Sequence, residues 1–143
     1  MRNLLLATAL IAGVTTAASA ETKMLHAAID AAQEGSGDGK SVTSGATGTA
    51  DMKLDTATHK LTYTVTYAGL TGPAAAGHLH GPADMGKNAG VLVPFKGSLA
   101  SPIKGTVTLT AAQQADVLAG KSYVNIHTAQ YPGGEIRGQV VAN

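Results

Sequence analysis

Cysteine and tryptophan are absent, and the 143 residues include one phenylalanine and four tyrosines. Without cysteine there can be no disulfide scaffold, thiol enzyme, Cys-ligated zinc or iron–sulfur cluster. So few aromatic rings argue against an aromatic-lined cofactor pocket or a base-stacking platform. Charge is sparse too: charged residues are 13% of the chain and the net charge is +1. No basic stripe is present to neutralise phosphates, so nucleic acid is excluded as a partner. The nucleophile-elbow, phosphate-loop, H-E-x-x-H and dinucleotide motifs are all missing. What remains is 44% hydrophobic, too apolar for a disordered chain and long enough for one domain.

The first twenty residues read as an address. Met1-Arg2-Asn3 is a short basic start, residues 4–14 are apolar, and Ala18-Ser19-Ala20 is a small-residue cleavage site. This is the pattern of a secretory signal peptide, cut between Ala20 and Glu21. The apolar run falls short of the roughly 20 residues that span a bilayer. The expectation is a periplasmic or secreted chain, residues 21–143, with no membrane span after cleavage. Arg2 is the one charged residue removed, which leaves a net charge of zero.

Beyond residue 44 the apolar period is mostly two. Leu61, Tyr63, Val65 and Tyr67 alternate with Thr62, Thr64 and Thr66, the pattern of a half-buried strand. Residues 55–59 before it read as a hairpin turn. Further strands are expected over 24–29, 45–54, 77–81, 91–95, 103–109, 123–128 and 135–141, separated by Gly- and Pro-containing turns. About eight short strands in this spacing predict an all-β domain, an antiparallel sandwich or barrel; the architecture expected once the family resemblance below is added is an antiparallel Greek-key β-sandwich. One short helix is expected after Thr110, with Gln113 completing a capping box and Gly120 ending it. Residues 34–44, rich in Gly and Ser, read as a flexible loop.

Three of the five histidines stand in the most distinctive segments, Gly77-His78-Leu79-His80-Gly81-Pro82 and Tyr123-Val124-Asn125-Ile126-His127-Thr128. In a strand, His78 and His80 share one face and Leu79 takes the other. By the same phase Val124 and Ile126 face the core, while Tyr123, Asn125 and His127 face outward. If the two strands are neighbours, His78, His80 and His127 converge on an outer face, roofed by residues 81–90 and 128–134. Three imidazoles suit copper or zinc with one coordination position left open. The other reading is structural, with each imidazole bonded to neighbouring backbone or to Glu135. In the segment Pro132–Gln139, Glu135 is a candidate acceptor for an imidazole N–H, with Arg137 holding that carboxylate. The alternative there is an ordinary cross-strand ladder. His26 and His59 read as surface residues.

These segments, with Ala32-Gln33-Glu34, Ala46-Thr47-Gly48-Thr49-Ala50, Leu61-Thr62-Tyr63 and Tyr131-Pro132-Gly133-Gly134-Glu135-Ile136-Arg137-Gly138-Gln139, resemble the chordin-type (CHRD) domain family. The chain departs from it after Glu34, where members usually carry prolines and residues 35–39 are Gly-Ser-Gly-Asp-Gly. The resemblance implies an exported, immunoglobulin-like β-sandwich of the bacterial single-domain kind, with limited similarity to copper–zinc superoxide dismutases. It implies no settled activity; in chordin such domains belong to a protein that binds growth factors. The dismutase copper site also uses an H-x-H pair, but with further histidines, a disulfide and a loop arginine that have no counterpart here.

Three functional expectations follow. The first is an exported binding module with a copper or zinc site at His78, His80 and His127, and Asn125, Glu135 and Arg137 as supporting or structural residues. The second is a metal-free structural or interaction domain of the cell envelope whose partner is an exported protein or polymer. The third is a copper-dependent enzyme of dismutase type.

Overall fold

Alternation of apolar and polar residues sets the strands and decides which side of each faces the core. The computed structural model describes residues 21–38 and 41–143; the signal-peptide reading of residues 1–20 lies outside them. The strands are β1 (Thr22–Asp30), β2 (Thr47–Asp55), β3 (Lys60–Ala68), β4 (Ala74–His80), β5 (Val91–Pro94), β6 (Ile103–Thr108), β7 (Ser122–Thr128) and β8 (Ile136–Ala142). Two helices interrupt them, α1 (Ala31–Asp38) and α2 (Ala111–Leu118).

The strands form one antiparallel sheet in the order β5-β4-β7-β8-β1-β2-β3-β6. The connections β3–β4 and β6–β7 cross between the two ends of that order, which is Greek-key connectivity. The sheet curls on itself until its end strands face each other across a cleft, lined by Leu92, Val93 and Pro94 on one side and residues 105–108 on the other. The expected all-β, eight-strand fold is therefore present, as a nearly closed sheet.

The core is the inward phase of each strand. Leu25 lies opposite Met52, Ala27 opposite Ala50, Leu54 opposite Leu61, Met52 opposite Tyr63, and Val124 opposite Leu79. All of these are buried. Each buried Leu or Ile contributes roughly 1.5–3 kcal/mol, so aliphatic side chains hold the fold with little aromatic help. The one close aromatic pair inside, Tyr63 with Phe95, has ring centroids 4.7 Å apart.

The hairpin turn falls where expected. Asp55 pairs with Lys60, its carboxylate accepts the backbone N–H groups of Ala57 and Thr58, and His59 takes a positive φ of 57°. Helix α2 starts on Thr110 with both bonds of the capping box in place, and Gly120 follows it at a φ of 69°.

Residues 34–44 require a correction. The first part of this expected loop is the end of α1, so the described residues hold two helices where one was expected. The cause is a start signal upstream of the glycines. The Asp30 carboxylate accepts the Gln33 backbone N–H at 2.8 Å and the Gln33 side-chain amide at 2.9 Å. Asp30-Ala-Ala-Gln33 has the same spacing as Thr110-Ala-Ala-Gln113, and a capped first turn outweighs poor propensity behind it.

The outer face of β7 and β8 also differs from an exposed sheet face. Tyr123, Asn125, Arg137 and Gln139 point away from the core yet are all buried. Helix α1 packs on β8, and Gln139 donates its side-chain amide to the carbonyls of Ala83 and Gly120. The central strands are thus covered twice, by an apolar core inside and a polar layer outside.

Candidate metal centre

Strands β4 and β7 are neighbours, and their register sets His78 opposite Asn125, His80 opposite Tyr123, and Ala76 opposite His127. All three imidazoles leave the same face. One donor atom from each of His78, His80 and His127 lies within 4.8 Å of the others. The rings contact edge to face, with centroids 5.2 Å apart for His78–His80 and 4.9 Å for His78–His127.

Two of the rings have their orientation set by backbone carbonyls. His80 Nδ1 lies 3.0 Å from the Ala89 carbonyl oxygen, and His127 Nδ1 lies 3.0 Å from that of Pro132. A carbonyl only accepts, so each Nδ1 carries the proton and each Nε2 keeps a lone pair. This is the support that metal-ligating histidines commonly receive, because it fixes both tautomer and ring direction. The His127 Nε2 lone pair meets His78 Nδ1 at 3.0 Å. His80 Nε2 is buried with no hydrogen-bond partner among the described residues. A buried lone pair without a donor forfeits a hydrogen bond, and a cation in the cluster would satisfy it.

Burial lowers the proton affinity of all three. It carries His127 down to about 4. His78 and His80 shift in the same direction, first through burial, and His80 also through His78 and the Arg137 cation. Neutral imidazoles at physiological pH are the metal-binding form.

The remaining sequence candidates fall around this cluster, in roles that differ from those expected. Glu135 makes no bond to an imidazole. It is fully buried and accepts from Ser44 Oγ at 2.6 Å, Thr128 Oγ1 at 2.7 Å, Thr71 Oγ1 at 2.8 Å and the Thr71 backbone N–H at 2.9 Å. Burial pushes its pKa up, but these hydrogen bonds outweigh it and hold the carboxylate below its ordinary value. The strand phase that seemed to place Glu135 beside Arg137 fails because β8 begins one residue later, at Ile136. Gly134 makes the turn at a φ of 135°.

Arg137 does not hold Glu135 either. It donates to Asn88 Oδ1 at 2.7 Å and to the Lys87 carbonyl, and its guanidinium carbon lies 3.5 Å from the centroid of the Tyr123 ring. It therefore ties the 81–90 segment down over the site. Asn125 donates to Glu34 Oε2 at 2.7 Å, which links the sheet to α1. A Cβ on Gly134 would stand 2.5 Å from Asn125 Oδ1, so this corner has room only for glycine. His26 pairs with Asp51 at 2.9 Å on the surface. His59 sits in the hairpin turn, away from the cluster, with its Nδ1 buried and without a partner among the described residues.

Sequence reasoning missed the stacking role of Tyr123, whose outward phase was legible but whose burial was not. It placed Glu34 only within the segments that carry the family resemblance and missed its bond to Asn125.

The family model described as CHRD domain matches residues 12–140, nearly the whole chain. No significant match was found among curated proteins or among solved structures.

Proposed function

Because the chain belongs to the CHRD domain family, we propose that it is an exported binding module in which His78, His80 and His127 hold one copper or zinc ion. The observation that carries this reading is the convergence of three imidazoles, one donor atom of each within 4.8 Å of the others, together with a buried His80 Nε2 that has no hydrogen-bond partner among the described residues. Neutral nitrogen donors suit copper and zinc, and neither oxygen-seeking calcium nor magnesium. The bound ion would supply an electrophilic centre with a position open to an outside ligand. The chain's own residues hold the imidazoles in one tautomer and, by burying them, keep them unprotonated. Export rests on the pattern of residues 1–20.

The test is the metal content and copper affinity of residues 21–143, purified without a histidine tag. One tightly held equivalent, lost in the triple variant His78→Ala, His80→Ala, His127→Ala, is the expected result. Binding unchanged in that variant would refute the assignment.

A second reading, an interaction domain without metal, draws support from the bonds the imidazoles already make. His78 and His127 bind each other, and His80 and His127 bind carbonyls of the covering loops. In that case no metal copurifies and the histidines matter only for stability. The dismutase-type reading has less behind it. Arg137, the only arginine in residues 21–143, is 2% exposed and engaged with Asn88, Lys87 and Tyr123. It is therefore not free to guide an anion inward.

A further inference from the structure

Tyr123 stands in the middle of a stack that runs from Arg137 to one of the three imidazoles. Its ring lies parallel to that of His80, with an interplanar angle of 4° and centroids 4.9 Å apart. The Arg137 guanidinium carbon lies 3.5 Å from the centroid of the same tyrosine ring. The tyrosine hydroxyl meets both polar groups of Ala89, accepting from its N–H at 3.1 Å and donating to its carbonyl at 3.3 Å. The same carbonyl accepts from His80 Nδ1. Stacking fixes the plane of the His80 ring, and Ala89 fixes the direction in which it points.

His78 and His127 orient each other through their mutual hydrogen bond. His80 makes no such bond, and its Nε2 has no partner among the described residues. Its placement relies on groups outside the cluster, and the largest of these is Tyr123, itself 2% exposed and held by Arg137. A long imidazole arm left free to rotate would lose its entropy on binding, whereas a pre-placed one has lost it in folding.

We propose that Tyr123 is a positioning residue of the metal centre, holding the His80 imidazole in its binding orientation before any ion arrives. This rests on the reading of His78, His80 and His127 as a metal site. Tyr123 touches no ion; it acts through His80. Groups that orient a ligand in this way are typically worth about 10–100-fold in metal affinity.

The experiment is copper(II) binding, by competition against a chelator and by electron paramagnetic resonance, for the wild type, Tyr123→Phe and Tyr123→Leu. Melting temperature is recorded in parallel without metal. Tyr123→Phe keeps the stacked ring and is expected to retain the wild-type spectrum with at most a few-fold weaker binding. Tyr123→Leu removes it and is expected to bind about 10–100-fold more weakly, with an altered copper hyperfine pattern. A folded Tyr123→Leu variant with wild-type affinity and spectrum would overturn the proposal and leave the metal site standing. Absence of copper binding in the wild type would remove the metal site itself, and this role with it. If Tyr123→Leu does not fold, zinc titration of the wild type followed by NMR decides. The contacts between the Tyr123 and His80 rings should be present before zinc and persist after it. Contacts absent from the metal-free protein, or broken on loading, refute pre-placement.

Discussion

His78 Nδ1 and His127 Nε2 stand 3.0 Å apart on paired strands, joined by a single proton. The Pro132 carbonyl holds the other His127 nitrogen in its protonated form, so His78 is the donor of this bond. The lone pair that would bind a metal thus accepts a hydrogen bond in the metal-free protein. Replacing His127 by Ala removes two hydrogen bonds, and replacing His78 removes one. With a net value near 1 kcal/mol for each bond, His127→Ala should cost about 2 kcal/mol and His78→Ala about 1. Urea denaturation gives the order. Both variants should also lose tight copper binding, which separates the metal role from the stability role.

Stability should fall on mild acidification. Burial lowers His127 to about 4 from an ordinary 6.5, and moves His78 and His80 the same way. Between those values the unfolded chain binds more protons than the native one. The histidine contribution is therefore complete above about pH 6.5 and is lost as pH falls toward 4. The melting temperature should decline across that window and decline less in the triple His→Ala variant. Equal slopes would show that the imidazoles are not buried as neutral bases.

Glu135→Gln tests the buried carboxylate that gathers Ser44, Thr71 and Thr128. A glutamine offers one acceptor oxygen in place of two and brings an NH₂ group toward hydroxyls that were donating. The loss should be about 2–4 kcal/mol, since hydrogen bonds to a buried charge are worth about 1.5–3 kcal/mol each. Copper affinity, where the fold survives, should be unchanged, because no imidazole touches this residue.

His59→Gly should stabilise the protein. The residue holds a φ of 57°, and its buried Nδ1 has no partner among the described residues. Relief of both outweighs the added backbone entropy of glycine, for a net gain of about 0.5–1 kcal/mol. The Leu109 N–H bond to the His59 carbonyl is retained by either residue. A lower melting temperature would contradict this.

Asp30→Ala should unravel the start of α1. Loss of the cap costs about 1 kcal/mol. Hydrogen exchange at Gln33 and Glu34 should rise well before exchange in β8, and Asp30→Asn should restore most of the protection.

The legible parts of the fold were those encoded by local periodicity. The run from Leu61 to Tyr67 sets its own phase, and Thr110 with Gln113 sets its own helix start. The Asp30 cap was present in the residues but hidden by the glycines that follow, whose low propensity points to a loop. The phase of His78, His80 and His127 was legible for the same reason as the strands: side chains alternate with a period of two. Their convergence required that β4 and β7 be adjacent, a long-range pairing that no local pattern encodes.

The sequence by itself determined the all-β class, the inward and outward sides of β3, β4 and β7, the α2 helix and the identity of the three histidines. These depend on residues within a few positions of one another. The tertiary structure alone decided that the outer face of β7 and β8 is buried, that Glu135 belongs to Ser44, Thr71 and Thr128, and that Arg137 lies over Tyr123. Such partners lie up to 91 residues apart in the chain. A buried polar group takes whatever donor or acceptor the folded backbone brings near, because leaving it unpaired costs more than any local preference supplies.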